Sequence, residues 1–440
     1  MSAQPSGRRP GALRALPLAA TGRPAPFGVT APAYAVATLG WTAAAAVLAA
    51  SADELARGAV WASQPVLAAH LVGLVVFPFA VAAAAWQLLP VMLRNDPPTA
   101  RARPVALVLL AAGAPLAVAV AAERDRLAAV LAALLAGGLL LLLAEIATLV
   151  RGAPAGRVLV VSRPAVLLAG AHGAIAFALG AVAAFGSGPE RLGVGYERFL
   201  LIHLAIALVG WLTILIAAVG RTLVPMLGLA PAAGTRTLPL AEGTIAAGLW
   251  TCVLGLAFER DALTAAGIAA MAAGLAPVGL RFARVARAGR IGTREGPVAH
   301  VAVGLVFLLE AAAVGLGGAL GAIDGRRAAT TAVLLVGLGW AAGVILGHLG
   351  KLVSLSGWGS WPPGPRPRQE ALYPRRLWQA EVLVFAAAVE LVAAGALFRS
   401  APVGAGGGAL LAAAAAAAAA GVGETLRRVV SLRRSPPRRR

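Results

Sequence analysis

Five histidines and four glutamates interrupt stretches of sequence that are otherwise almost wholly apolar: His70, His172, His203, His300 and His348, with Glu145, Glu310, Glu381 and Glu390. A neutral imidazole is a common ligand for copper and for haem iron, and inside hydrocarbon it needs a metal or a hydrogen-bond partner. A carboxyl in the same surroundings is protonated or paired, which suits it to relaying protons. The competing role for any one of these histidines is interhelical hydrogen bonding, which contributes only about a kcal/mol in lipid.

Two of the histidines stand in matched local sequence. His70-Leu71 is followed, twenty residues after the histidine, by Pro90 in Leu-Leu-Pro-Val-Met-Leu. His203-Leu204 is followed, twenty-two residues on, by Pro225 in Leu-Val-Pro-Met-Leu. On a helix either separation is about 30 Å, one hydrocarbon thickness, so each segment carries a histidine at one membrane boundary and a Pro-Met-Leu exit at the other.

The elements that position them follow from composition. Of 440 residues 60% are hydrophobic and only 13% charged, and the mean hydropathy is +0.83, which excludes both a soluble globular domain and a disordered chain. Cys252 is the only cysteine, so there is no intramolecular disulfide and no C-x-x-C site. The sequence also lacks G-x-x-x-x-G-K-[ST], H-E-x-x-H and C-x-x-C-H, which leaves ATP-driven transport and covalent c-type haem unsupported.

Apolar runs between charged or Pro-containing breaks predict an all-α polytopic membrane protein of about twelve transmembrane helices. They are Val29–Ala50, Val66–Leu89, Val105–Ala122, Leu127–Val150, Val166–Phe185, Phe199–Gly220, Gly243–Phe258, Leu263–Leu280, Val298–Ile323, Thr331–Leu352, Val382–Phe398 and Gly408–Val422. The seventh and twelfth are short, and the last is so rich in Ala and Gly that its hydrophobicity is marginal. With the N-terminus inside, 29 of the 38 Lys and Arg fall on the inner side, as cytoplasmic loops require. The net charge of +20 is therefore an attribute of one membrane face, and nucleic acid is an unnecessary partner. Residues 29–422 form the membrane domain between a disordered basic cytoplasmic tail, 1–28, and a polybasic cytoplasmic tail, 423–440, which is expected to lie against anionic lipid at the inner face. The N-terminal tail lacks the apolar core of a signal peptide. All basic residues but Lys351 are arginine, the usage of a GC-rich bacterial genome, so a bacterial cell membrane is the expected location.

In this frame His70 and His203 lie near the outer ends of helices two and six, His172 near the middle of helix five, and His300 and His348 at the inner ends of helices nine and ten. Glu310 and Glu390 lie near mid-bilayer, in helices nine and eleven, and are candidates for proton relay. Glu145 and Glu381, near inner ends, are expected to snorkel or to pair with loop arginines. Trp86, Gln87 and Trp211 are read as packing or depth markers, and Trp358 and Trp361 as parts of an interfacial turn.

Twelve helices with both ends inside and a histidine near the outer end of helices two and six resemble the catalytic subunit of the haem-copper oxidase superfamily, which includes cytochrome c oxidases and nitric oxide reductases. The strings His70-Leu-Val-Gly through Gln87-Leu-Leu-Pro-Val-Met, and His203 through Gly210-Trp211 to Val224-Pro-Met, carry the likeness. The resemblance implies that His70 is an axial ligand of a low-spin haem, a haem b, and that His203 takes the place of a copper ligand. The rest of that pattern is missing: Gly243–Phe258 has no histidine where adjacent copper ligands should stand, and Thr331–Trp340 has none where two haem ligands should stand. An oxygen-reducing dinuclear centre cannot be assembled. What the resemblance leaves is a haem or copper site on His70, His203 or both, with His172 as a further candidate, used in sensing, assembly or electron transfer with a redox or membrane partner subunit. A second likeness, in size and scattered histidines, is to twelve-helix haem- and copper-containing membrane proteins linked to nitric oxide stress.

Two other classes compete. A proton-coupled secondary transporter would use Glu310 and Glu390 as coupling sites, although the segment Arg94-Asn95-Asp96-Pro97-Pro98 does not resemble the signature loop of the major facilitator class. A cofactor-free structural membrane subunit would use every histidine as packing glue.

Overall fold

The computed structural model describes residues 25–93, 102–152, 163–184, 193–230, 238–290, 292–362 and 365–434. Among these residues there is no strand, and twelve helices are long and apolar enough to cross a membrane. They are α1 (Phe27–Ala50), α2 (Ser63–Leu93), α3 (Arg103–Ala121), α4 (Asp125–Arg151), α5 (Pro164–Ala183), α6 (Tyr196–Gly228), α7 (Leu238–Ala257), α8 (Asp261–Ala288), α9 (Gly296–Ala319), α10 (Gly325–Gly359), α11 (Arg375–Leu397) and α12 (Ala401–Arg434). Helices are what such sequence must form in lipid, because each segment then satisfies its own backbone polar groups.

All twelve expected spans are present, mostly longer than predicted at their polar ends. Phe185, the expected end of the fifth span, and residues 1–24 of the expected N-terminal tail lie outside the described residues, and α1 takes up the tail's last two positions. Into the expected polybasic tail α12 runs on to Arg434, so residues 423–434 are helix. Glu424 pairs with Arg427 and Arg428 one turn on, and Val429 is buried in a cluster with Trp361 and Leu372.

The bundle is built from one arrangement used three times. Within α1–α4, α5–α8 and α9–α12 the first helix packs along the second, and the third and fourth form an antiparallel hairpin. The ring closes through α4 on α5, α8 on α9, and α12 on α1. Close approach in the hairpins comes from glycine: a Cβ on Gly267 of α8 would sit 2.3 Å from the backbone N of Cys252 in α7, and one on Gly395 of α11 would sit 2.6 Å from Gly404 in α12. That packing is why the Ala/Gly-rich twelfth segment holds as a helix.

The second helix of each unit faces the middle. α10 touches α2 near one end and α6 farther along. Each of the three contains a π-helical segment, Val72–Val76 in α2, Ile206–Thr213 in α6 and Leu335–Ala342 in α10. A π turn admits one extra residue, and such turns occur mostly at functional sites. Two of them are joined where Trp340 Nε1 donates to Thr213 Oγ1 at 3.0 Å.

Candidate functional site

His70 and His203 occupy equivalent places, two and three residues before the π segments of their helices. Both rings are half-buried, and they lie within electrostatic range of each other. His70 Nδ1 is 2.8 Å from the carbonyl of Val66 and so carries the proton, leaving the Nε2 lone pair uncommitted. The His203 ring lies against Gly180 and within reach of the Ala176 carbonyl on α5, while its Nδ1 is buried with no hydrogen-bond partner among the described residues. Two imidazoles, each with a free ring nitrogen, therefore share one level of the bundle. The third unit lacks the histidine, because α10 has Ala332 and Val333 at the corresponding positions.

His172 is not part of this pair. Its Nδ1 donates to the Leu168 carbonyl at 2.9 Å, and its Nε2 accepts from Trp250 Nε1 at 3.1 Å, so both nitrogens are taken. The ring is buried and fills the space left by Gly210, whose Cβ would meet it at 2.8 Å. His172, expected as a further candidate ligand, is here held by hydrogen bonds at both nitrogens and packs between α5, α6 and α7.

At the arginine-rich end each unit has, among the described residues, a buried cation set against a carboxylate. Arg103 Nε lies 2.9 Å from Glu145 Oε1, with Trp86 Nε1 donating to the other carboxylate oxygen at 2.7 Å. Arg221 pairs with Glu242 in the second unit, and Lys351 Nζ lies 2.6 Å from Glu295 Oε1 in the third. The expected arginine partner of Glu145 is thus found, and Trp86 is a donor to that pair. Gln87 accepts from Tyr34 and donates to the Leu352 carbonyl, tying α1, α2 and α10.

The third unit carries much more. Glu381, expected to snorkel or find an arginine, is 2% exposed and instead meets His300 Nε2 at 2.7 Å. The His300 ring lies over Gly347, beside His348, and packs on Phe385. Toward the arginine-rich end Tyr373 covers Lys351, and Arg375 also reaches Glu295 at 3.5 Å. Burial and the negative charges of Glu295 and Glu381 hold the Tyr373 phenol well above its ordinary range. His348 Nδ1 donates to the Val344 carbonyl at 2.6 Å, and its ring lines an apolar cavity of about 340 Å³ at the centre of the bundle. In the sequence His300 and His348 are marked by depth alone and Lys351 stands among the charges of one face. The one lysine of the chain, written into an apolar span, was the signal available.

Glu310 and Glu390 are brought side by side, within hydrogen-bonding reach. They do not face the interior. Glu390 is exposed on the outer surface of α11 near Leu383, which is 72% exposed, and Glu310 follows Leu309, which is 70% exposed, on α9.

Comparison with family models and with curated proteins gives no match. Fold and composition thus define the class directly: an integral, multi-pass, all-α membrane protein in contact with the lipid bilayer.

Proposed function

We propose that this chain binds copper or a haem iron through His70 and His203, in a bundle built like the haem-copper oxidases, and serves sensing, assembly or electron transfer rather than oxygen reduction. One observation carries the reading: two imidazoles on α2 and α6, at one level and within range of each other, each have a ring nitrogen that nothing in the described protein uses. The donor set fits the group. Imidazole suits copper and haem iron, and a backbone carbonyl on the opposite ring nitrogen, as at His70, fixes the tautomer that presents a lone pair. A bound metal of this kind supplies one-electron chemistry. The proposal includes no dinuclear centre, because α7 carries no histidine and its Trp250 donates to His172.

In this reading the arginine-rich end faces the cytoplasm of a bacterial cell, as the distribution of basic residues demands. His70 and His203 then lie toward the outer face. The outward position of Glu390 weighs against an interior coupling site on that carboxyl pair.

The test is purification in lipid nanodiscs with an absorption spectrum and metal analysis. The expected result is stoichiometric copper or a Soret band, lost in His70→Ala and His203→Ala and kept in His172→Phe. A well-folded, colourless and metal-free wild-type protein, after loading with Cu(I) and with haem, would overturn the proposal.

A further inference from the structure

The central cavity belongs to no site assigned so far. It lies in the half of the bundle nearer the arginine-rich end, between the inner parts of α2, α4, α5, α6 and α10, and its walls are almost entirely carbon. Glycines 170, 173 and 220 open it, and Phe177, Trp211 and Phe282 face it with aromatic surface. Its lining runs out to Leu167 of α5, 53% exposed and across from Leu143 and Ala147 of α4, so the way in is from the lipid between those two helices.

Its polar side chains are His348 and Tyr34, with the indole of Trp211 beside them. His348 Nδ1–H is committed to the Val344 carbonyl, which leaves the Nε2 lone pair with no hydrogen-bond partner among the described residues. The Tyr34 hydroxyl spends its proton on Gln87 at 2.6 Å. A plain acyl chain fills the volume and leaves the imidazole unpaired, which carries the cost of an unsatisfied buried acceptor. The complementary occupant is a lipophilic ring with one hydroxyl donor and a hydrocarbon tail.

The groups behind His348 sharpen the class. His300 lies beside it over Gly347, is bonded to Glu381, and is followed by Tyr373, Lys351 and Glu295 toward the arginine-rich end. An imidazole backed by titratable groups suits an exchangeable, weakly acidic hydroxyl better than an aliphatic alcohol. We propose that this cavity binds a lipid-soluble phenol or hydroquinone, which enters between α4 and α5 and donates its hydroxyl proton in a hydrogen bond to His348 Nε2. The site is separate from the His70 and His203 pair and stands whether or not a metal is bound there.

The probes are 2-bromo-4-hexylphenol and its methyl ether, which share ring, bromine and tail while the ether has no hydroxyl donor; bromine quenches tryptophan on contact, and Trp211 lines the cavity. In nanodiscs containing the full-length protein the phenol is expected to quench saturably and to bind about tenfold more tightly than the ether, the worth of one hydrogen bond. His348→Leu should remove the preference for the phenol, and Trp211→Phe should remove the saturable quench. Gly170→Leu, whose Cβ has ordinary contact at 3.6 Å with Leu143 and whose side chain fills the entrance, should weaken both probes and covers the case in which the His348 variant fails to fold. Equal binding of the two probes to the wild type, a phenol preference that survives His348→Leu, or unchanged binding in Gly170→Leu would each overturn the proposal.

Discussion

Replacing Gly347 by alanine tests whether the His300 contact is as tight as the structure draws it. A Cβ at that position would lie 2.4 Å from Cγ and Cδ2 of His300 and 2.5 Å from its Cβ, about 1 Å inside ordinary contact. The ring cannot swing away, because Glu381 holds Nε2 at 2.7 Å and Phe385 packs on it with centroids 5.2 Å apart. α9 and α10 must separate, or the His300–Glu381 bond must break. Overpacking of this kind costs about 1–3 kcal/mol and the lost bond about 1 kcal/mol more, so Gly347→Ala should destabilise by about 2–4 kcal/mol. The sign should reverse once the ring is gone. In a His300→Ala background the alanine meets a void, and its helix propensity should stabilise by up to about 1 kcal/mol. Steric-trapping unfolding in bilayers of the four proteins of this cycle gives the coupling directly. An equal cost of Gly347→Ala in both backgrounds would refute the argument.

Three further outcomes are expected. Arg103→Ala leaves Glu145 buried without its counter-charge and should cost about 3–5 kcal/mol, most of it recovered in Arg103→Ala/Glu145→Leu, as judged by denaturant unfolding. Tyr373 sits outside the spans, and its folded-state phenol is held above the unfolded value; its contribution is therefore complete below about pH 10 and is lost as pH rises beyond it, by up to about 1.4 kcal/mol per unit. Stability measured from pH 9 to 11.5 should fall less steeply in Tyr373→Phe than in the wild type. Trp250→Phe should cost about 1 kcal/mol through the lost bond to His172 and leave bound metal unchanged by elemental analysis.

The helix count was legible because hydropathy and the arginine distribution are additive along the chain, and each span announces itself without its neighbours. The π-helical equivalence of α2 and α6 was half legible, in the histidines and the Pro-Val-Met-Leu and Pro-Met-Leu strings that follow them. The third copy was hidden, since α10 has Ala332 and Val333 where the histidines stand and Ser354 where a proline would close the pattern. Which way a side chain faces is a property of packing, which the sequence does not spell out. His172 turned out to be hydrogen-bonded at both nitrogens, and Glu390 turned outward. Lys351, Glu295, Tyr373 and Glu381 come together from separate segments, so no spacing in the sequence could have joined them.

The closure of the ring by α12 against α1 has a consequence for biosynthesis. Ala49 of α1 receives Gly408 of α12 at a separation that a Cβ would reduce to 2.6 Å, so the first helix is shaped for the last. About 350 residues separate the end of one from the start of the other. At about 5–20 residues per second, α1 waits roughly twenty to seventy seconds in the membrane before its partner is made. During that time its alanine-rich seam is open to any other small-faced helix in the insertion machinery. A chain that stops short of α12 leaves that seam of α1 uncovered in the membrane.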